Sequence, residues 1–280
     1  MLHVIEDSIL DCLRLVPFLF LAYLAMEYLE HRTGERMQKL LRRADKASPV
    51  IGGALGALPQ CGFSAAASNL YAGRVISLGT LIAVYLSTSD EMLPILISER
   101  APAGLIGGIL LGKALFGMAA GLMIDFVRGK KGREDAGCIH DICEQEHCHC
   151  EEGIFRSALT HTGQIAFFIL AVTFGLNLLL HYAGEDALAG LVSGKLLSGP
   201  MLAGLVGMIP NCAGSVVITQ LYLEGAMDIG SAMAGLLSGS GVGLLVLFRV
   251  NHNRRENLKI AGLLYGIGVG AGIIVGLLGL

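Results

Sequence analysis

The stretch Gly56-Ala57-Leu58-Pro59-Gln60-Cys61-Gly62 returns 151 positions later as Gly207-Met208-Ile209-Pro210-Asn211-Cys212-Ala213. The same shift, with no gap, lays Ser64 on Ser215, Leu70-Tyr71 on Leu221-Tyr222 and Gly79 on Gly230. It continues through Ala83 on Ala234, Leu86-Ser87 on Leu237-Ser238 and Ser89 on Ser240, and upstream through Pro49 on Pro200 and Gly53 on Gly204. Shared Leu and Ala are cheap between any two apolar segments, but shared Pro, Cys, Tyr and Gly in one register indicate a duplication. Internal repeats of this kind are a transporter architecture.

Composition says what is duplicated. Of 280 residues, 54% are hydrophobic and 15% charged, with 39 Gly and no Trp. An ordinary soluble domain is nearer about 25% charged. Apolar runs of about 20 residues recur along the chain, too many to be one buried core helix. The Gly excess suits helices that approach closely in a bilayer. The run Ile9–Leu29 has acidic residues before it and no small-residue cleavage site after it, so it is expected to be a first spanning helix, not a signal peptide.

Each half then reads alike. A spanning helix (about 8–30; 157–182) precedes a Pro-broken apolar pair (49–73; 200–224). A helix with polar residues inside it follows (75–97; 226–248), and a Gly-rich helix closes the half (102–127; 257–280). The arms of the Pro-broken pair are too short to span, which predicts a re-entrant hairpin with the Pro-x-Cys motif at its tip. The expected fold is an all-α integral membrane protein of two inverted-topology repeats, each with three spanning helices and one re-entrant hairpin. The first repeat is 1–127, a linker occupies 128–156, and the second repeat is 157–280.

Lys and Arg set the expected orientation. Arg32, Arg36, Lys39, Arg42, Arg43 and Lys46 follow the first helix, whereas the equivalent stretch of the second half holds only Lys195. Before the closing helix the bias reverses, with a lone Arg100 in the first half against Arg249, Arg254, Arg255 and Lys259 in the second. Arg128, Lys130, Lys131 and Arg133 open the linker. With all basic loops in the cytoplasm, both termini lie outside, the linker lies inside, and the halves are inverted. A multi-pass protein of the cell (cytoplasmic) membrane is expected, with the lipid bilayer as its surroundings and no nucleic-acid partner; an oligomer remains open.

Four groups of residues could carry chemistry. Hairpins entering from opposite faces would bring Gln60, Cys61 and Ser64 toward Asn211, Cys212 and Ser215 near the midplane, where exposed backbone must line a cavity or be buried in protein. Beside them stand Ser87, Ser89, Asp90 and Glu91. Carboxylates inside a membrane segment are costly and point to function. The second half offers Ser238 and Ser240 there, within a Ser-Gly-Ser-Gly run that suggests a broken helix with accessible carbonyls. Lys113 falls in the middle of the first closing helix, where an ammonium calls for a partner; Asp90 or Glu91 is at compatible depth. The linker carries Cys138, His140, Cys143, His147, Cys148, His149 and Cys150, thiolate and imidazole ligands suited to zinc or another soft or borderline metal, though not at a zinc-finger spacing. No resident cofactor is otherwise required.

The paired Pro-Gln-Cys-Gly and Pro-Asn-Cys motifs, the Ser87-Thr88-Ser89-Asp90-Glu91 segment and the Cys/His linker running into Gly153-Ile154-Phe155-Arg156 resemble one group. It is the bacterial and archaeal ten-segment heavy-metal exporters, named variously arsenic efflux proteins or manganese transporters. The resemblance covers nearly the whole chain. It implies metal or metalloid efflux and leaves the ion open.

The expected function is therefore secondary-active export of a metal or metalloid ion, a divalent metal such as manganese or an arsenic species, by alternating access. The substrate-binding residues are those of the tips and the polar helices. Asp90, Glu91 and Lys113 would couple transport, with protons as the coupling ion. The alternative is a carrier for a small organic or inorganic anion held at hairpin helix N-termini. The Asp90–Glu91 pair argues against it. An enzyme is not expected: lipid-phosphate hydrolysis wants basic residues at its centre, and only Lys113 is deep.

Overall fold

The computed structural model describes residues 47–57, 61–89, 92–128, 198–210 and 212–278, with single helical positions between 16 and 24 and between 155 and 174. The regular elements among them are all helical. In the first half these are α1 (Ser48–Gly56), α2 (Cys61–Ala72), α3 (Leu78–Ser87), α4 (Met92–Ser98) and α5 (Ala103–Arg128). In the second they are α6 (Ser198–Gly207), α7 (Cys212–Leu223), α8 (Ile229–Ser238), α9 (Gly243–Val250) and α10 (Arg254–Leu278). Three stretches among the described residues are long and apolar enough to cross a membrane: Ala103–Arg128, Ile229–Val250 and Arg254–Leu278. The chain is a helical integral membrane protein.

Each helix of the second half starts and ends within two residues of its first-half counterpart moved by 151. Local details recur at the same shift. Arg74 (φ 57°) and Gly225 (φ 73°) both sit in the left-handed region just past α2 and α7. There Val75 N–H donates to the Leu70 carbonyl at 2.8 Å and Ala226 N–H to the Leu221 carbonyl at 2.9 Å. These long return bonds close a helix end through a left-handed residue. Glycine takes that conformation freely, whereas Arg74 pays roughly 1–2 kcal/mol for it.

The expectation of one polar-bearing helix over 75–97 is corrected: the helix stops at Ser87 and resumes at Met92. The cause is local. The Ser87 hydroxyl donates to the Ala83 carbonyl at 2.6 Å, Thr88 Oγ1 to the Val84 carbonyl at 2.7 Å, and Ser89 Oγ to the Ala57 carbonyl on the next segment at 2.8 Å. Such side-chain bonds compete with the helical ladder. In the second half the break that the Ser238-Gly239-Ser240-Gly241 run suggested is present: 226–248 divides into α8 and α9 at Gly239-Ser240-Gly241-Val242, with Gly241 at φ 53°.

The two broken helices form the centre. All ten residues of α3 are buried, between α1 and α5, and α8 is buried likewise between α6 and α10. Glycines make this packing close: a Cβ on Gly121 would lie 2.5 Å from the Gly79 carbonyl, and one on Gly272 2.5 Å from that of Gly230. In lipid, where burial gives little drive between helices, such backbone approach supplies the van der Waals contact that holds them. The second arms cross over: α9 packs on α2 and α4 packs on α7, so each half inserts part of its broken helix against the other. Phe20 and Leu24 lie against the α9–α2 contact, beside Ala65, Val242 and Val246. Leu111, Leu115, Phe126 and Leu277 are exposed on the outer faces of α5 and α10, as lipid-facing side chains should be.

Both central helices begin under a carboxylate, supplied from different places. Asp228 caps α8 itself, accepting from Ser231 N–H at 3.1 Å. At α3 the cap is Ser77, which donates to Asp125 on α5 at 2.5 Å, while Asp125 accepts from Gly79 N–H at 2.9 Å. Position 276, the counterpart of Asp125 (125 plus 151), is glycine. A helix N-terminus favours negative charge, and the two halves satisfy that preference by alternative routes.

Candidate functional site

The breaks in α3 and α8 leave carbonyls that no helical N–H can reach, because the last turn of any helix has orphan acceptors. These lie in the interior, where unpaired polar groups are costly. Lys113 answers them. Its side chain, 2% exposed, extends from the middle of α5 and its ammonium donates to the Thr88 carbonyl, the cap of α3, and to the Leu236 carbonyl near the end of α8 at 2.7 Å. One amine thus joins the C-terminal ends of the central helices from both halves. The anticipated carboxylate partners, Asp90 and Glu91, lie outside the described residues.

A second polar group surrounds the start of α9. The Ser68 hydroxyl lies 2.7 Å from each of the Ser64 carbonyl, the Gly243 carbonyl and the Tyr85 hydroxyl, and Tyr85 also donates to the Gly243 carbonyl at 3.1 Å. Close approach requires glycine here: a Cβ on Gly243 would lie 2.7 Å from that of Ser64. All these side chains are fully buried, so the polar contact between α2, α3 and α9 is an interior one.

The expected site residues fall as follows. Ser64 and Ser87 are buried and hydrogen-bonded within the core. Ser89 reaches the Ala57 carbonyl, at the end of α1. Ser215 is half-buried on α7, its carbonyl accepting from Thr219 Oγ1 at 2.7 Å, as the Ser64 carbonyl accepts from Ser68. Ser240 is buried in the second break, and its carbonyl takes Gly243 N–H at 3.0 Å. Ser238 is the exception: its hydroxyl is buried with no hydrogen-bond partner among the described residues, whereas its counterpart Ser87 donates to Ala83. Cys61 and Cys212 open α2 and α7. Gln60, Asn211 and the seven linker ligands lie outside the described residues. Among the described residues no three His, Cys, Asp or Glu side chains converge as a metal site.

A polar cluster on the surface was not anticipated. Glu256, in the first turn of α10, accepts from Tyr71 at 2.5 Å and pairs with Arg74 at 3.2 Å. Asn251 donates to Glu256 at 3.4 Å and to Asn257 at 2.8 Å, and Asn257 returns to the Asn251 carbonyl at 2.7 Å. Partial burial would by itself lower the Arg74 pKa, but the Glu256 carboxylate outweighs it and holds the guanidinium above its ordinary value. This clasp ties the end of α2 in the first half to α10 in the second. Tyr71, which the 151 shift lays on Tyr222, is one of its members.

One signal could have found the missed residues: positions where the repeats disagree in polarity. At the 151 shift Tyr85 meets Leu236 and Glu256 meets Leu105, just as the anticipated Lys113 meets Leu264. Each of these polar side chains stands in one half opposite an apolar one in the other.

The fold and the interior polar groups define a multi-pass helical membrane protein with discontinuous helices at its centre. The family model described as "Putative, 10TM heavy-metal exporter" matches residues 1–161, more than half of the chain. The chain belongs to that family. No curated protein and no solved structure matches the chain.

Proposed function

We propose that this protein is a secondary-active exporter of a metal or metalloid ion, working by alternating access at a midplane site between two inverted repeats, 1–127 and 157–280. The observation that carries the reading is the pair of helix breaks, one per half, whose orphan carbonyls meet at Lys113. Discontinuous helices with free carbonyl ends are how membrane transporters hold cations. The Ser238 hydroxyl, which has no hydrogen-bond partner among the described residues, is a further oxygen at the second break.

The re-entrant hairpins are supported by length. α1 has 9 residues and α2 has 12, about 14 and 18 Å at 1.5 Å per residue, against a hydrocarbon core of about 30 Å. A Cβ on Gly214 would lie 2.9 Å from the Val206 carbonyl, so α7 starts hard against the end of α6, as a tight turn requires. The tip residues Gln60, Cys61, Asn211 and Cys212 would then face the breaks, with Asp90 and Glu91 beside them. Thiols favour soft ions or trivalent arsenic, carboxylates favour manganese-like ions. Protons would be the coupling ion, exchanged at Asp90 and Glu91 while Lys113 balances charge. The linker, 128–156, binds metal on the cytoplasmic side and is not the transport site.

Lys113 is the feature that would suit an anion carrier, but its ammonium is turned to carbonyls, which an anion would not share. Counterflow in proteoliposomes tests the reading. Vesicles preloaded with unlabelled Mn²⁺, Zn²⁺ or arsenite should accelerate uptake of the same labelled species for at least one of them. Counterflow of organic or inorganic anions alone would refute it in favour of the anion carrier.

A further inference from the structure

We infer that the carbonyl oxygens of Thr88 and Leu236 form a cation subsite shared between the two halves, with the Lys113 ammonium as its tethered occupant. A small protonated amine takes the same place once the tether is cut. The inference deepens the proposed transport reading, because a cargo cation using these oxygens must first displace Lys113.

Three observations combine. Both carbonyls lie at helix ends that the breaks deprive of intrahelical donors, Thr88 as the cap of α3 and Leu236 in the last turn of α8. Each helix C-terminus carries about half a negative charge, so the two together attract an ammonium. The interior is closed around it, since Lys113 is 2% exposed, Thr88 2% and Leu236 3%. Screening by water is therefore weak and a cation here is held strongly. The wall itself does not demand lysine, because the equivalent position on α10 is Leu264, packed in the core with no exposure. Lys113 is thus present for its charge and its donors. As the oxygens come from opposite halves, the subsite persists only while the central helices keep this relation. The tethered amine is then a built-in competitor that is released as cargo binds and returns as cargo leaves.

The test uses the full-length protein in detergent and does not depend on transport. Lys113→Ala removes the tether and leaves a cavity ending at the two carbonyls. Titration with n-propylammonium chloride should raise its Tm saturably, by on the order of 2–4 °C. Tetramethylammonium at equal ionic strength, which has no N–H to donate, should not. Neither salt should act in this way on the native protein or on Lys113→Leu, where the space is filled. No rise with propylammonium, or the same rise with tetramethylammonium or in the native protein, overturns the subsite. If Lys113→Ala is recovered only unfolded, cell-free synthesis into liposomes reads the same occupancy as folded yield. Propylammonium should increase that yield over tetramethylammonium, and equal yields refute the proposal. Failure of counterflow leaves these results untouched, so the two readings fail separately.

Discussion

Replacing Glu256 by Gln isolates the charge in the clasp between α2 and α10. The carboxylate accepts from Tyr71 at 2.5 Å and pairs with Arg74 at 3.2 Å, with Arg74 39% and Glu256 16% exposed. An ion pair this open to solvent contributes about 0.2–1 kcal/mol. A hydrogen bond to a charged acceptor is worth about 1.5–3 kcal/mol against about 0.5–1.5 for a neutral one. Gln keeps an acceptor for Tyr71, so the loss there is about 1 kcal/mol, and the whole change about 1–2 kcal/mol. The equivalent positions at the 151 shift cannot form the same clasp, because the counterparts of Tyr71, Arg74 and Glu256 are Tyr222, Gly225 and Leu105. If the clasp holds shut the face that the charge pattern assigns to the cytoplasm, losing about 1.4 kcal/mol raises the open population roughly tenfold. The assay is alkylation by a membrane-impermeant maleimide, in inside-out vesicles, of a variant retaining Cys61 as its single cysteine. The rate should rise about tenfold with Glu256→Gln and fall back toward normal in an Arg74→Glu/Glu256→Arg charge swap. A lowered Tm with an unchanged alkylation rate would show that the clasp stabilises the fold without gating it. Strict additivity of Arg74→Gln and Glu256→Gln in Tm would show that the two do not interact at all.

Glycine substitutions should separate sharply by position. A Cβ at Gly207 would meet the backbone of Gly235, with its carbonyl carbon at 2.8 Å, so Gly207→Ala should cost at least about 1–3 kcal/mol in thermal unfolding. Gly262 has nothing within 4 Å, so Gly262→Ala should be neutral or stabilising by up to about 1 kcal/mol; equal effects at both sites would contradict the packing described. Asp90→Asn and Glu91→Gln should each slow transport, and at least one should flatten its pH profile, since the proposed proton coupling runs through these two carboxylates. Normal rate and normal profile in both would remove them from the coupling scheme. Replacing Cys138, Cys143, Cys148 and Cys150 by Ser should abolish metal binding by the linker while leaving measurable counterflow; complete loss in a folded variant would make the linker part of the transport route. Cysteines placed at Arg74 and Gly225 should be labelled from opposite sides of the membrane, and same-side labelling would rule out the inverted arrangement.

The sequence by itself determined the membrane class and the positions of the helices around both Pro-x-Cys motifs, because both rest on local properties. Apolar run length is a property of a window, and the 151-residue register needed only side-by-side reading; the bounds of α1–α5 and α6–α10 follow that register closely. It also singled out Lys113 as a buried amine requiring partners. Tertiary structure alone decided what those partners are, because the Thr88 and Leu236 carbonyls belong to every residue alike and leave no mark in side-chain identity. The break at Thr88–Ser89 was hidden for a related reason. A run such as Leu81–Leu86 is apolar whether the helix continues or stops, and the stop depends on hydroxyls that choose a carbonyl, one of them Ala57 on another segment. Glu256 follows Arg254 and Arg255 in sequence, and nothing local ties it to Tyr71 and Arg74 more than 180 positions earlier. Periodicity and composition are short-range and survive in the sequence, whereas a bond between distant backbone or side-chain atoms exists only once the two halves have packed.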